Sequence, residues 1–274
     1  MNSEISKNLI EQGYAVIENC LDKKLIDDIK KNINEDLIKI LKKGELNYTD
    51  DLTKNLYESR KIISQYELGV KLAKNLVDKN FVSEIFLSKK VIEELIILLG
   101  SDIEYSQNCE VIISDKNVDK NDDYLIKKYH QEFWSGGGIE ALQIWVPINL
   151  LPGMGTIEII KKSHTWGHVP HRNREPIDIP KEYETEILNI QEGSMAIMTM
   201  LTLHRTIVNT HDQPRIALPV TIRNFYHPNT VNLDLFNFKK LNFSFFSKFR
   251  KILGNSHYSP YRTLGQKRTD NLKK

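Results

Sequence analysis

The sequence predicts a mainly β fold, a sandwich or barrel, with flanking helices drawn from the first hundred residues. Two observations predict it. Up to Leu99 the apolar residues recur at steps of three to five, whereas from Ile103 onward they gather into short runs separated by glycine and proline. At 274 residues the chain also has a length at which all-β barrels and sandwiches still fold as one unit.

Taken in order, Ile10 to Glu18 reads as the end of a helix, a break at Gly13 and a short strand. Leu21, Leu25, Ile26, Ile29, Ile33, Leu37, Ile38 and Leu41 then form one apolar stripe that ends at Lys42-Lys43-Gly44, the pattern of a helix lying on a sheet. Residues 45–66 are weakly patterned. Leu68 to Leu76 and Ile85 to Leu99 are helical in spacing, and Gly100-Ser101-Asp102 stops the run. Strands are predicted at residues 104–107, 110–113, 142–148, 155–160, 194–200 and 216–225, with a polar loop from Asp115 to Asp123.

The net charge of +2 and the 40% hydrophobic content fit a globular protein, and no apolar run approaches the roughly 20 residues that span a bilayer. The first residues lack the basic start and apolar core of a signal peptide, and the cysteines are only Cys20 and Cys109. A reducing, cytoplasmic location is therefore expected, without a nucleic-acid partner.

Charge divides the chain. Residues 231–274 carry ten Lys or Arg against two Asp, 10 − 2 = +8, which leaves 2 − 8 = −6 for residues 1–230. The expected organisation is a domain over 1–230 and a basic, Phe-rich extension over 231–274. In a helix Phe245, Phe246, Phe249, Ile252 and Leu253 would share a face, with Lys248, Arg250 and Lys251 around the polar side. That face is expected to dock on the barrel or on a second copy, with an anionic membrane surface as the alternative.

The chemistry centres on Tyr129-His130-Gln131-Glu132. In an extended strand His130 and Glu132 project from the same face, which makes half a metal site. His204 supplies a third ligand, and two His with one carboxylate is the set associated with non-haem Fe(II) oxygenases. Arg215 follows eleven residues later across the turn-prone Asn209-Thr210-His211-Asp212-Gln213-Pro214. A hairpin there would set its guanidinium beside the metal, ready to grip a carboxylate bidentately. A rival cluster, His164-x3-His168-x2-His171, is interrupted by Gly167 and Pro170 and reads as a surface loop. Trp134 reads as a core aromatic, and Gly136 to Gly138 as a loop near the substrate entrance.

Over residues 8–226 the chain resembles the phytanoyl-CoA dioxygenase family of Fe(II)/2-oxoglutarate-dependent oxygenases. The resemblance rests on Tyr129-His130-Gln131-Glu132, Trp145-Val146-Pro147-Ile148, Gly155 to Ile160 leading into Ser163-His164, Gly193-Ser194, and His204-x-Thr206-x-x-Asn209 followed by Arg215. It implies a double-stranded β-helix, a cupin-like jelly-roll barrel, with iron held by His130, Glu132 and His204. It further implies 2-oxoglutarate paired through its distal carboxylate with Arg215, and Thr206 and Trp145 lining the cosubstrate pocket. The implied reaction uses O2 to hydroxylate a small molecule, releasing succinate and CO2.

Two departures stand out. Glu132 occupies a position where relatives more often have Asp, and Lys161-Lys162 stand where they commonly place Pro-Gly. A carboxylate at Glu132 argues against halogenation, which leaves that position free for chloride. The run Phe133-Trp134-Ser135-Gly136-Gly137-Gly138 followed by Ile144-Trp145-Val146-Pro147-Ile148 is similar to branches associated with bacterial surface-polysaccharide genes, a resemblance that implies a sugar or sugar-linked substrate. Acyl-CoA and secondary metabolites stay open. So do two other classes on the same residues: a cupin-like isomerase or epimerase, needing neither O2 nor Arg215, and a metal-binding module without turnover.

Overall fold

The computed structural model describes residues 3–116, 128–136, 138–173, 175–226 and 238–252. Among the described residues the helices are α1 (Glu4–Gln12), α2 (Lys23–Lys43), α3 (Leu52–Ser59), α4 (Gln65–Asp78), α5 (Phe81–Leu87), α6 (Lys89–Leu99) and α7 (Phe245–Ile252). The strands are β1 (Tyr14–Ile17), β2 (Ile103–Ser106), β3 (Ile112–Ser114), β4 (Leu142–Asn149), β5 (Ile157–Ile160), β6 (His171–Arg172), β7 (Glu175–Pro176), β8 (Thr185–Ile187), β9 (Met195–Thr199), β10 (His204–Thr206), β11 (Arg215–Asn224) and β12 (Phe238–Asn242).

Local chemistry sets the helix ends. The Ser3 side chain accepts the Ser6 amide to start α1, and Gly13, at φ 88°, closes it and turns the chain into β1. The turn admits no side chain: a Cβ on Gly13 would lie 2.5 Å from His164 Nδ1 and 2.7 Å from Thr202 Oγ1. In α2 the predicted stripe is buried, with Ile26, Ile29, Ile33 and Leu37 packed in the core that the helices share with the main sheet. Burial of each such side chain contributes about 1.5–3 kcal/mol. The run predicted as one helix from Ile85 to Leu99 is two, because Ser88 is extended, at ψ 133°, between α5 and α6. Each piece still buries its own stripe, Ile85 and Phe86 on one and Val91 and Leu95 on the other.

The main sheet runs β1-β9-β4-β11-β2-β12, with β3 also on β11; a smaller sheet runs β10-β5-β8, and β6 pairs β7. Side chains of β4 alternate between the two sides of the main sheet. Leu142, Ile144, Val146 and Ile148 enter the helix-covered core, whereas Trp145 packs with Ile157, Ile159 and Met198 between the sheets. This is the jelly-roll barrel with a helical N-terminal part that the sequence led us to expect.

One expectation is corrected here. His204 and Arg215 do not sit on the arms of one hairpin, since β10 pairs β5 in the small sheet while β11 pairs β2, β3 and β4 in the main one. The buried Asn209 side chain diverts the chain between them, donating to the carbonyls of Ser114 and Gln213 and accepting the His211 amide. The expected extension over 231–274 contributes a strand to that main sheet. β12 extends the main sheet by pairing with β2, Phe238 opposite Ser106 and Lys240 opposite Glu104.

The face that α7 turns inward is also not the expected one. Ser247 is buried and bonds the Tyr226 hydroxyl, while Phe245, Phe246 and Phe249 are exposed. The Ile252 side chain and Leu253 lie outside the described residues. No described helix is long and apolar enough to cross a membrane.

Candidate metal centre

His130 lies in a short extended segment bridged to β10, and Glu132 opens a 3-10 turn, Glu132–Ser135, where the sequence predicted continued strand. The two side chains nevertheless converge with His204. Glu132 Oε1 is 3.6 Å from His130 Nε2 and 3.5 Å from His204 Nε2, and the histidine rings are 4.4 Å apart. Donors bound at about 2.0–2.2 Å to one ion lie about 3 Å from one another in adjacent positions, so a contraction of about half an ångström closes this set on a cation.

The tautomers suit that role. His130 Nδ1 is 2.9 Å from the Lys128 carbonyl and His204 Nδ1 is 3.0 Å from the Thr202 carbonyl. A carbonyl only accepts, so both protons sit on Nδ1 and both Nε2 lone pairs are left for a metal. Burial on its own would raise the Glu132 carboxyl, but the histidines beside it hold it well below the usual carboxylate range. The group is an anion, and the donor set of two imidazoles and one carboxylate fits Fe(II) with open positions.

Gln131, between the ligands, was not singled out in the sequence. It points the other way and is buried, its Nε2 donating to the carbonyls of Gly167 and Leu201 while its Oε1 accepts the Val169 amide. It roots the ligand segment in the neighbouring loops. The signal was its parity, since a residue between two ligands on one face must face the scaffold. Ser163, expected only as part of the Ser163-His164 pair, accepts the Leu203 amide and donates to the Ile160 carbonyl, which fixes the residue before His204. Lys162 adopts φ 58°, the left-handed conformation that glycine accommodates best.

Thr206 and Trp145 line the chamber around His130, Glu132 and His204, together with Gln143, Met198 and Pro219. The chamber holds about 20 Å³, room for one water-sized body. Trp145 is buried and its Nε1 has no hydrogen-bond partner, an unsatisfied donor in the chamber wall.

Arg215 is 1% exposed. Its Nη1 donates to the carbonyls of Met154, Gly155 and Ile207 and its Nη2 to Ser114 Oγ. No carboxylate compensates its charge among the described residues, and burial pulls its pKa down to about 10. Arg215 is not among the residues that line the chamber, but it donates to the carbonyl of Ile207, the residue after Thr206 of the chamber wall. A buried cation without a counter-ion fits a group that brings a carboxylate.

Outside the chamber a second cavity of about 610 Å³, within the range of small-molecule sites, shares Glu132, Gln143 and Pro219 with it. α4 contributes Lys74 and Asp78 to its wall, and Gln107, Asn108 and Glu110 contribute further polar groups. Gln143 is buried between the two spaces and accepts the Thr221 hydroxyl through Oε1. Ser135, directly before Gly136, is on the rim of this outer cavity.

The remaining aromatic and histidine candidates are engaged elsewhere. Trp134 Nε1 donates to the Val169 carbonyl and its ring stacks on His171 at 4.3 Å. His168 meets the Phe133 ring, and His164 Nε2 lies 2.9 Å from the Ile10 carbonyl. Among the described residues the cluster of possible metal ligands is His130, Glu132 and His204.

Comparison with known proteins agrees with this architecture. The phytanoyl-CoA dioxygenase (PhyH) family model matches residues 9–217. No curated protein sequence matches the chain. Among solved structures, a non-heme monooxygenase, ThoJ in its apo form, is similar with a TM-score of 0.60 at 14% identity, over 88% of this chain and 84% of that one. EctD from S. alaskensis with bound Fe is similar with a TM-score of 0.58 at 12% identity, over 84% and 79%. The epimerase SnoN, in complex with Fe3+, alpha ketoglutarate and nogalamycin RO, is similar with a TM-score of 0.51 at 14% identity, over 81% and 83%. At these identities the likeness establishes the fold.

Proposed function

The chain belongs to the phytanoyl-CoA dioxygenase family, and from that premise we propose that it is an Fe(II)- and 2-oxoglutarate-dependent oxygenase that hydroxylates a small polar molecule. The observation that carries the reading is the convergence of two Nε2 lone pairs and an ionised carboxylate, and a buried arginine without an acidic partner among the described residues supports it. His130, Glu132 and His204 would hold the iron. When bound, iron and 2-oxoglutarate would supply the oxidising power: O2 gives one oxygen atom to the substrate hydroxyl and one to succinate, formed as 2-oxoglutarate loses CO2.

The chain's own residues do the positioning. The carbonyls of Lys128 and Thr202 orient the two imidazoles, and Glu132 balances part of the metal's charge. Arg215 is the partner we assign to the distal carboxylate of 2-oxoglutarate, with Trp145 Nε1 and Thr206 as further contacts in the wall. The chamber as it stands has room for one water-sized body, so seating 2-oxoglutarate requires its lining side chains to move apart.

The outer cavity takes the substrate. Its amide, carboxylate and ammonium groups favour a polyhydroxylated molecule such as a sugar or sugar-linked precursor over a bare acyl chain. The two free cysteines support placing the enzyme in a reducing compartment, the cytoplasm.

The test is a screen of small molecules for substrate-stimulated, O2-dependent succinate formation, with product mass read alongside. A gain of one oxygen atom assigns hydroxylation. Succinate formed with a product of unchanged mass assigns epimerisation, the activity named for the SnoN structure. Iron binding without any succinate would overturn the enzymatic reading.

A further inference from the structure

α7 turns its apolar side to solvent. Phe245, Phe246 and Phe249 are 76%, 71% and 51% exposed. Their rings form one patch, Phe245 stacking on Phe249 at 6.5 Å and meeting Phe246 edge-on at 6.0 Å. The orientation is fixed by polar bonds on the opposite side. Ser247 bonds the Tyr226 hydroxyl at 2.9 Å and Ser244 Oγ at 3.0 Å, and Ser244 in turn bonds Asp102. A contiguous aromatic patch held outward in this way marks an interaction surface.

Its size and charge select the occupant. The three rings leave open about the area of two whole phenylalanine side chains, roughly 300–500 Å². Each partner in a stable protein interface contributes about 800 Å². A second copy would also bring another segment 231–274, with its ten Lys or Arg and two Asp, against this one. Like charge opposes that pairing. The same charge suits an anionic lipid surface, which accepts aromatic rings at headgroup depth without a complementary shape.

We propose that α7 docks the protein on anionic membrane surfaces, with Phe245, Phe246 and Phe249 inserted among the headgroups and Lys248 held by the lipid charge. Lys248 is exposed on the same helix. The docking element is joined to the wall of the outer cavity, because Lys239, on the strand before α7, bonds the Val77 carbonyl and Val77 lines that cavity.

The test is co-sedimentation of the full chain with vesicles of phosphatidylcholine alone or mixed with phosphatidylglycerol in equal parts. Binding is expected only to the mixed vesicles and is expected to weaken as salt rises. Replacing the three rings together (Phe245→Gln, Phe246→Gln, Phe249→Gln) is expected to weaken it roughly tenfold or more, with an unchanged melting temperature. Lys248→Glu, which leaves the rings in place, is expected to reduce binding to the mixed vesicles alone. Failure of the full chain to bind the mixed vesicles would overturn the proposal. So would equal binding by the triple variant, or a parent dimer that the triple substitution converts to a monomer, since the patch would then serve a second copy.

Discussion

His130 and His204 are held together through their backbones as well as their side chains: the amide of each donates to the carbonyl of the other, at 3.0 and 3.1 Å. The bridge involves no side-chain atom, so it survives truncation of either imidazole. His130→Ala and His204→Ala are therefore expected to keep the parent's circular dichroism. Anaerobic Fe(II) with 2-oxoglutarate should give a visible charge-transfer band in the parent and none in either variant. An unaltered band in His204→Ala would remove that residue from the metal set.

Arg215→Ala is expected to raise the 2-oxoglutarate requirement far more than the Fe(II) requirement, because the guanidinium is outside the ligand triad. The expected loss is roughly 2–5 kcal/mol of 2-oxoglutarate binding for a desolvated charge pair. Lysine should rescue only in part, having no planar fork. Calorimetric titration showing one affinity for parent and variant would dismiss Arg215 as the anchor.

The unpartnered indole of Trp145 gives a sharper discrimination. Trp145→Phe removes a buried donor that has nothing to bond in the ligand-free chain, so little stability should be lost beyond the smaller ring. If the donor meets a cosubstrate carboxylate, 2-oxoglutarate binding should weaken by about 1.5–3 kcal/mol, the range for a hydrogen bond to a charged group. Equal binding by both proteins, again by titration, would leave Trp145 a packing residue.

Lys162 holds a left-handed backbone at a cost of about 1–2 kcal/mol for an L residue. Lys162→Gly relieves that cost and adds about 0.5–1 kcal/mol of chain entropy to be lost on folding. The melting temperature is expected to rise slightly, and a fall would mean that the Lys162 side chain contributes contacts that outweigh the strain.

Two truncations separate the roles of the last described elements. A chain ending at residue 244 keeps β12 and, of the described elements, loses α7, and is expected to melt close to the parent. A chain ending at residue 230 also loses β12, exposing the β2 edge and the core that Leu241 covers. Its melting temperature should fall by several degrees, at roughly 2–4 °C per kcal/mol for a chain of this size. Equal melting of both truncations would show that β12 contributes nothing to the sheet.

The parts of this molecule that could be read in the sequence are those where a local pattern carries the information. The α2 stripe, the Gly13 break and the long β4 and β11 strands are of this kind. β10 is three residues long, and its choice of β5 over β11 is made by Asn209 binding across to Ser114, a contact absent from any spacing rule. The 3-10 turn at Glu132 escaped for a similar reason: Gln131 is tied to Gly167 and Leu201, and those bonds aim Glu132 after the strand has ended. In α7 the periodicity grouped the phenylalanines correctly, but which side faces the body was decided by Ser244 and Ser247.

The hydroxyl of Thr202 donates to the carbonyl of Gly13, and the carbonyl of Thr202 accepts from His204. The candidate ligand His204 is thus braced by the turn at Gly13, while His130 precedes it by 204 − 130 = 74 residues. On a growing chain these contacts cannot form until residue 204 has been made and the Gly13 turn has met Thr202. Iron is therefore expected to bind a site that the folded chain has already formed. Chelation should then empty the protein without unfolding it, unlike zinc fingers, whose chains collapse only around their ion.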